Sequence, residues 1–92
     1  MSLVRHHEHF KFEQSEGVYF WLTDGTNHVL CKVSIEALRD RSARDGSAAS
    51  LPDTFVRHRT RIETIAKEKY AQGRRPNVIV LVLSKDLSPL PM

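Results

Sequence analysis

Histidines, one cysteine and a run of arginines and lysines carry whatever chemistry this 92-residue chain can do. His6, His7 and His9 read H-H-x-H near the start. On an extended chain His7 and His9 share a side, because successive side chains alternate. Two imidazoles on one side make a weak transition-metal site. No carboxylate or cysteine cluster at zinc spacing accompanies them, so His7 and His9 stand only as weak metal candidates. The expectation is that no metal or other cofactor is held.

Cys31 is the single cysteine, which excludes an internal disulfide and any multi-cysteine zinc or iron–sulfur site within one chain. It lies between Val29 and Val33 at strand spacing, where a free thiol behaves as a small hydrophobe with a raised pKa rather than as a nucleophile. The acid pairs Glu13/Glu16 and Asp40/Asp45 fall near turns, where charge is solvated, while general acid–base work needs positioned groups. The chain lacks H-E-x-x-H, a phosphate-binding glycine loop and a G-x-S-x-G elbow. No catalytic residue is nominated, and an enzyme is not expected.

Half of the 14 Lys and Arg residues fall in one stretch. Residues 53–75 hold seven Lys or Arg against three acids, a local +4, within a chain of formal charge +3. Arg57, Arg61, Arg74 and Arg75 are the candidates for a nucleic-acid contact by this basic segment. Against that reading, Glu63 and Glu68 interrupt the run and no helix-turn-helix or RNA-binding signature accompanies it. A second polar set, His58, Arg59, Lys69 and Tyr70, lies along or beside an apolar stripe, so these stems can pack on the core while their polar ends reach out. They are the candidates for a small ligand or a partner, or they close the edge of the core.

The element that must position these residues is a helix over residues 51–73, LPDTFVRHRTRIETIAKEKYAQG. Pro52 and Asp53 suit its first turn, and Gly73 followed by Pro76 suits its end. At 100° per residue Phe55, Ile62, Ile65 and Ala66 form the inner stripe, with Arg57, Thr60, Arg61, Thr64 and Glu68 opposite. Before it, residues 9–13 predict a short edge strand, residues 18–23 (VYFWLT) a strong strand, Asp24-Gly25 a hairpin turn, and residues 28–34 (HVLCKVS) the returning strand. Val18, Phe20 and Leu22 then share a face with Val29, Cys31 and Val33, and that face belongs under the long helix.

Ser34 caps a short helix from Ile35 to about Arg41, and residues 42–50 predict a mobile loop. Residues 78–83 (VIVLVL) predict a strand buried on both faces, because the run lacks alternation. The fold class is α+β: a small antiparallel sheet in β-β-β-α-α-β order with the long helix packed on one face. One domain spans residues 1–92, with loosely ordered ends at residues 1–8 and 85–92.

Apolar content of 40% and charged content of 27% are those of a folded globular domain rather than a disordered one. No apolar run reaches the ~18 residues of a membrane span, and no apolar signal core opens the chain. The expectation is a cytoplasmic protein with no membrane partner. On the outer sheet face Tyr19, Trp21 and Leu30 are more apolar than a solvated face requires. A chain of this size supplies one helical layer, so a second copy is expected to cover Tyr19, Trp21, Leu30, Ile79, Leu81 and Leu83. The functional expectation is a non-enzymatic homodimeric interaction or regulatory module, with an unknown protein partner, nucleic-acid binding, or small-ligand or metal binding as alternatives.

One more pattern spans the chain. An aromatic strand, Asp24-Gly25, Val-Leu-Cys-Lys-Val-Ser with Glu-Ala-Leu after it, then Phe55, Arg59, Ile62-Glu63, Ile65-Ala66, Lys69 and Gly73 follow one another in an order that resembles the small bacterial family catalogued as domain of unknown function 1488. The similarity runs roughly over residues 10–86. It implies a small bacterial α+β protein and carries no activity with it.

Overall fold

Asp24 builds the turn on which the sheet is registered. In the computed structural model, which describes residues 3–46, 50–73 and 79–87, its Oδ1 accepts from the backbone N–H groups of Thr26 at 2.9 Å and Asn27 at 2.7 Å. Gly25 takes φ 99° beside it, a value that L side chains resist. The resulting four-residue turn joins β3 (Gly17–Thr23) to β4 (His28–Ser34) with Thr23 opposite His28. Phe20 is then paired with Cys31 and Val18 with Val33, so their side chains share the inner face as the alternation requires.

The N-terminal chain runs antiparallel along the other side of β3 as an interrupted edge. β1 (Val4–Arg5) pairs Arg5 with Leu22, and β2 (Lys11–Glu13) pairs Lys11 with Tyr19. Residues 6–10 therefore lie opposite only Phe20 and Trp21, so the strand breaks and its surplus residues arch out as a loop. Residues 1–8 are predicted as a loose end. Of these, Val4 and Arg5 are paired, Leu3 is buried, and the His6 N–H donates to the Trp21 carbonyl at 3.1 Å. Where β2 turns into β3, Gly17 at φ 133° passes so close to β4 that a Cβ would lie 1.9 Å from the Val33 carbonyl oxygen.

Two helices follow. Ser34 caps α1 (Ile35–Asp45) by accepting from the Ala37 N–H, and Gly46 ends it in the left-handed conformation. The sequence predicts a stop near Arg41 and a loop from residue 42. The helix runs further because Asp40–Arg44 and Arg41–Asp45 make i,i+4 pairs and Gly46 provides the stop. Residues 47–49 of the predicted loop lie outside the described residues. α2 (Leu51–Gly73) has the predicted bounds. Ser50 begins it: its Oγ accepts from the Asp53 N–H and its carbonyl from the Thr54 N–H.

β5 (Val80–Val82) then enters the sheet beside β4, and α3 (Ser84–Leu87) closes the described chain. The sheet order is β1-β3-β4-β5 with β2 also on β3. The sheet is mixed rather than antiparallel, since Cys31 pairs in parallel with Val80 and Val33 with Val82. Two helices between β4 and β5 form a crossover, and a crossover returns a strand in its original direction. Residues 78–83 are predicted as a strand buried on both faces. Among the described residues only one face is covered: Val82 is fully buried whereas Leu81 keeps 45% of its surface exposed. Residue 78 lies outside the described residues.

One core joins these elements. Val18, Phe20, Leu22, Cys31 and Val33 from the sheet meet Leu38 of α1, Phe55, Ile62 and Ala66 of α2, and Leu87 of α3. All three helices thus lie on the same face of the sheet, giving a plate of 39 × 33 × 20 Å.

Candidate functional site

Among the described residues the opposite face carries no helix. Register places Tyr19, Trp21 and Thr23 of β3 beside Lys32, Leu30 and His28 of β4, and Leu81 of β5 beside Lys32. Lys11 and Glu13 of β2 and Val4 of β1 complete it on the far side. On this face Val4 is 53% exposed and Leu81 45%, and Ile79, just before β5, is 40% exposed. Tyr19, Trp21, Leu30 and Leu83 are half-buried.

The face is concave on one side. Where the edge strand breaks, the arch of residues 6–10 rises and walls a groove of about 640 Å³ whose floor is Tyr19, Trp21 and Leu30. His7, His9, Phe10, Lys11, Glu13 and Glu16 line it, within the size range of ligand pockets. Its rim is neutralised internally. Lys11 Nζ lies 3.1 Å from Glu13 and Lys32 Nζ 3.6 Å from Glu16, the Tyr19 hydroxyl donates to the Glu16 carboxylate, and Lys32 stands 5.5 Å from the Tyr19 ring centroid. The hydrogen bond from Tyr19 holds the Glu16 carboxyl below its ordinary pKa, and Glu16 raises that of Tyr19.

Arg59 holds the arch in place. Reaching from α2, it donates to the Glu8 carbonyl at 2.7 Å, the His7 carbonyl at 2.9 Å and Glu63 at 3.0 Å. Its guanidinium lies 5.6 and 5.3 Å from the ring centroids of Phe10 and Phe55. Glu63 also accepts from Arg5 Nε at 2.8 Å, and that bond, followed by the one to Glu8, pushes the Arg5 pKa upward. Arg59 and Glu63 are both buried.

The other members of the polar set go to different elements. His58 Nε2 sits 2.7 Å from Asp45 at the end of α1, Lys69 Nζ 2.7 Å from Asp86 of α3, and Tyr70 packs against the core. His58, Arg59, Lys69 and Tyr70 therefore do not converge on one cavity. Of the nucleic-acid candidates, Arg57 is exposed and leans on Asp45 at 3.8 Å, and Arg61 is exposed. Arg74 and Arg75 lie outside the described residues.

The histidines of the arch touch in series. His28 and His6 have ring centroids 4.1 Å apart, His6 and His7 4.8 Å, and His7 and His9 5.6 Å. Partial burial, then the charges of His28 and His7, lower the His6 pKa. His7 Nδ1 is buried without a hydrogen-bond partner. Among the described residues no group of three or more His, Cys, Asp or Glu is arranged to hold a metal ion. On the inner face Cys31 is buried, and burial followed by the Glu63 charge pushes its thiol up to about 12, so it is protonated and shielded at neutral pH.

Sequence reasoning missed Arg5, Glu8 and Glu63 as a set, because their meeting depends on pairings 58 residues apart. The one available signal was Glu63 four residues after Arg59, the spacing of an ion pair on a helix.

The chain belongs to the family described as a protein of unknown function (DUF1488), whose model matches residues 7–82. That span runs from the arch of the edge strand through β5. No curated protein and no solved structure matches the chain.

Proposed function

We propose that the protein is a non-enzymatic interaction module of the bacterial cytoplasm that acts as a homodimer through its bare sheet face. One observation carries this reading: all three helices pack on one face of the sheet, leaving Tyr19, Trp21, Leu30 and Leu81 on a face that no element of the described chain covers. A sheet buried on one side only is expected to show solvated residues on the other. Here the other side has Tyr19, Trp21 and Leu30 on its two central strands and Leu81 on the edge strand β5. Where such a module regulates a process, it does so by being assembled or dissociated.

The cytoplasmic setting rests on the lone buried thiol and on the fact that no helix among the described residues is long and apolar enough to cross a membrane. Size exclusion coupled to light scattering tests the assembly. The reading expects twice the 10.6 kDa chain mass at tens of micromolar, and a concentration-independent 10.6 kDa overturns it.

A further inference from the structure

Four histidine rings run in a file along the arch. His28 at the start of β4 touches His6, His6 touches His7, and His7 touches His9, at centroid separations of 4.1, 4.8 and 5.6 Å. Among the described residues no three of them are arranged around a metal ion, so the chemistry they share is the proton. We propose that the arch of residues 6–10 is a pH-sensitive strap, seated against β3 while these rings are neutral and lifted from it when mild acid charges them, which takes one wall from the groove. The device lies within one chain and does not rest on the homodimer reading.

The fixed ions around the rings are matched without them. On the N-terminal chain Arg5 pairs with Glu8 and Glu63 and Lys11 with Glu13, and on α2 Arg59 pairs with Glu63. In the turn before β4 the Asp24 carboxylate accepts from the Thr26 N–H and from both nitrogens of Asn27. On the groove rim Glu16 takes Tyr19 and Lys32. Among the described residues the one histidine ion pair is that of His58 with Asp45, so none of the four rings has a carboxylate of its own. Protons on neighbouring rings therefore meet repulsion and no compensation.

The strap is seated by contacts that water can replace. The His6 N–H donates to the Trp21 carbonyl, and Arg59 donates to the carbonyls of His7 and Glu8. His6, Glu8 and His9 are exposed, so the middle of the arch buries little, and segments of that kind open locally without global unfolding. Its ends stay: Arg5 is held by Glu63, and the Phe10 ring lies 4.7 Å from that of Phe55. His7 Nδ1, buried without a hydrogen-bond partner, gains water in the same step. The sign follows from His6. Partial burial, then the charges of His28 and His7, hold its pKa below the ordinary 6.5, so the seated strap binds fewer protons than the lifted one. Seating is complete above that value and weakens as pH falls through it, by up to about tenfold per pH unit for each proton gained.

Amide exchange measured by NMR on the full chain tests the strap. After correction for the intrinsic pH dependence of exchange, protection of the His6 N–H should fall by about tenfold or more from about pH 7.5 to about pH 5.5, while amides shared between β3 and β4 keep theirs. Protection at His6 that does not change, or that is lost together with the hairpin, overturns the proposal. His6→Gln combined with His28→Gln should keep the arch protected at the lower pH, and an equal loss in that variant overturns it as well. The unsubstituted protein supplies a check that does not depend on variant folding. In about 1 M salt, where the Debye length is about 3 Å, repulsion between the rings is screened and the opening should move to lower pH. An opening indifferent to salt overturns the strap.

Discussion

Arg59 and Glu63 sit one helical turn apart on α2, with Arg59 Nε 3.0 Å from Glu63 Oε2 and both residues buried. The pair is not a local ornament of the helix. Arg59 spends its other donors on the carbonyls of His7 and Glu8, and Glu63 takes Arg5, so this one turn of α2 holds the edge strand on which the groove wall stands.

Removing one partner leaves a buried charge without its counterpart, so Glu63→Gln should destabilise the fold by about 3–5 kcal/mol. Urea denaturation followed by far-ultraviolet circular dichroism measures it. A midpoint within error of the unsubstituted protein would show that the network is too hydrated to matter.

Ile62 is fully buried beneath the sheet, and Ile62→Ala should lower stability by about 2–5 kcal/mol through lost burial and a residual cavity. The same measurement on Val56→Ala, at an exposed position of the same helix, should move the midpoint far less.

Acid should unfold the protein in part through two carboxylates. The hydrogen bond from His58 holds the Asp45 pKa below its ordinary 3.8. At Asp86 burial works upward, but Lys69 and the Leu83 N–H outweigh it and the net direction is again down. A depressed folded pKa means that the stabilisation is full above the unfolded value and is lost as pH falls through the folded one. Stability should therefore drop below about pH 4, and Asp86→Asn should flatten that slope in a titration of the denaturation midpoint.

Cys31 should not react with a disulfide reagent at pH 8 in the native protein and should react fully in denaturant, because its thiol is buried and pushed up to about 12. Stoichiometric labelling at native rates comparable to a free thiol would contradict the inner-face packing of β4.

Nucleic acid offers a further contrast. With Arg59 buried and Lys69 tied to Asp86, the basic segment is less available than its composition implies. The homodimer reading expects no retardation of DNA or RNA at low salt. A retarded band that weakens steeply with added salt and with Arg57→Gln and Arg61→Gln would favour the nucleic-acid alternative.

The hairpin, its inward residues and the bounds of α2 were legible because their signals are local: Asp24-Gly25 for the turn, alternation for the strands, a 3.6-residue stripe between Pro52 and Gly73. The family was legible for a related reason, since an ordered pattern over the whole chain survives loops of any kind. What stayed hidden depended on distant partners. Val4 and Arg5 carry no strand signal of their own and are held by β3 and by Glu63. The direction of β5 depends on the path of two helices, which no residue within residues 78–83 records. Its place beside the apolar stripe leaves Arg59 either as a ligand or partner residue or as a closer of the core edge, and the acceptors that fix it are main-chain carbonyls that a sequence does not display.

The break in the edge strand has a consequence for how far association can go. A regular edge exposes a row of unpaired N–H and C=O groups to which another chain can add, and an irregular one does not. Residues 6–10 interrupt that row beside β3, so the N-terminal edge is a poor template for a further strand. Among the described residues no strand pairs with the outer edge of β5. Open-ended polymers need two usable ends, and a sheet with one blunted edge can pair once and then stop, which protects a thin, half-covered protein from growing into fibrils.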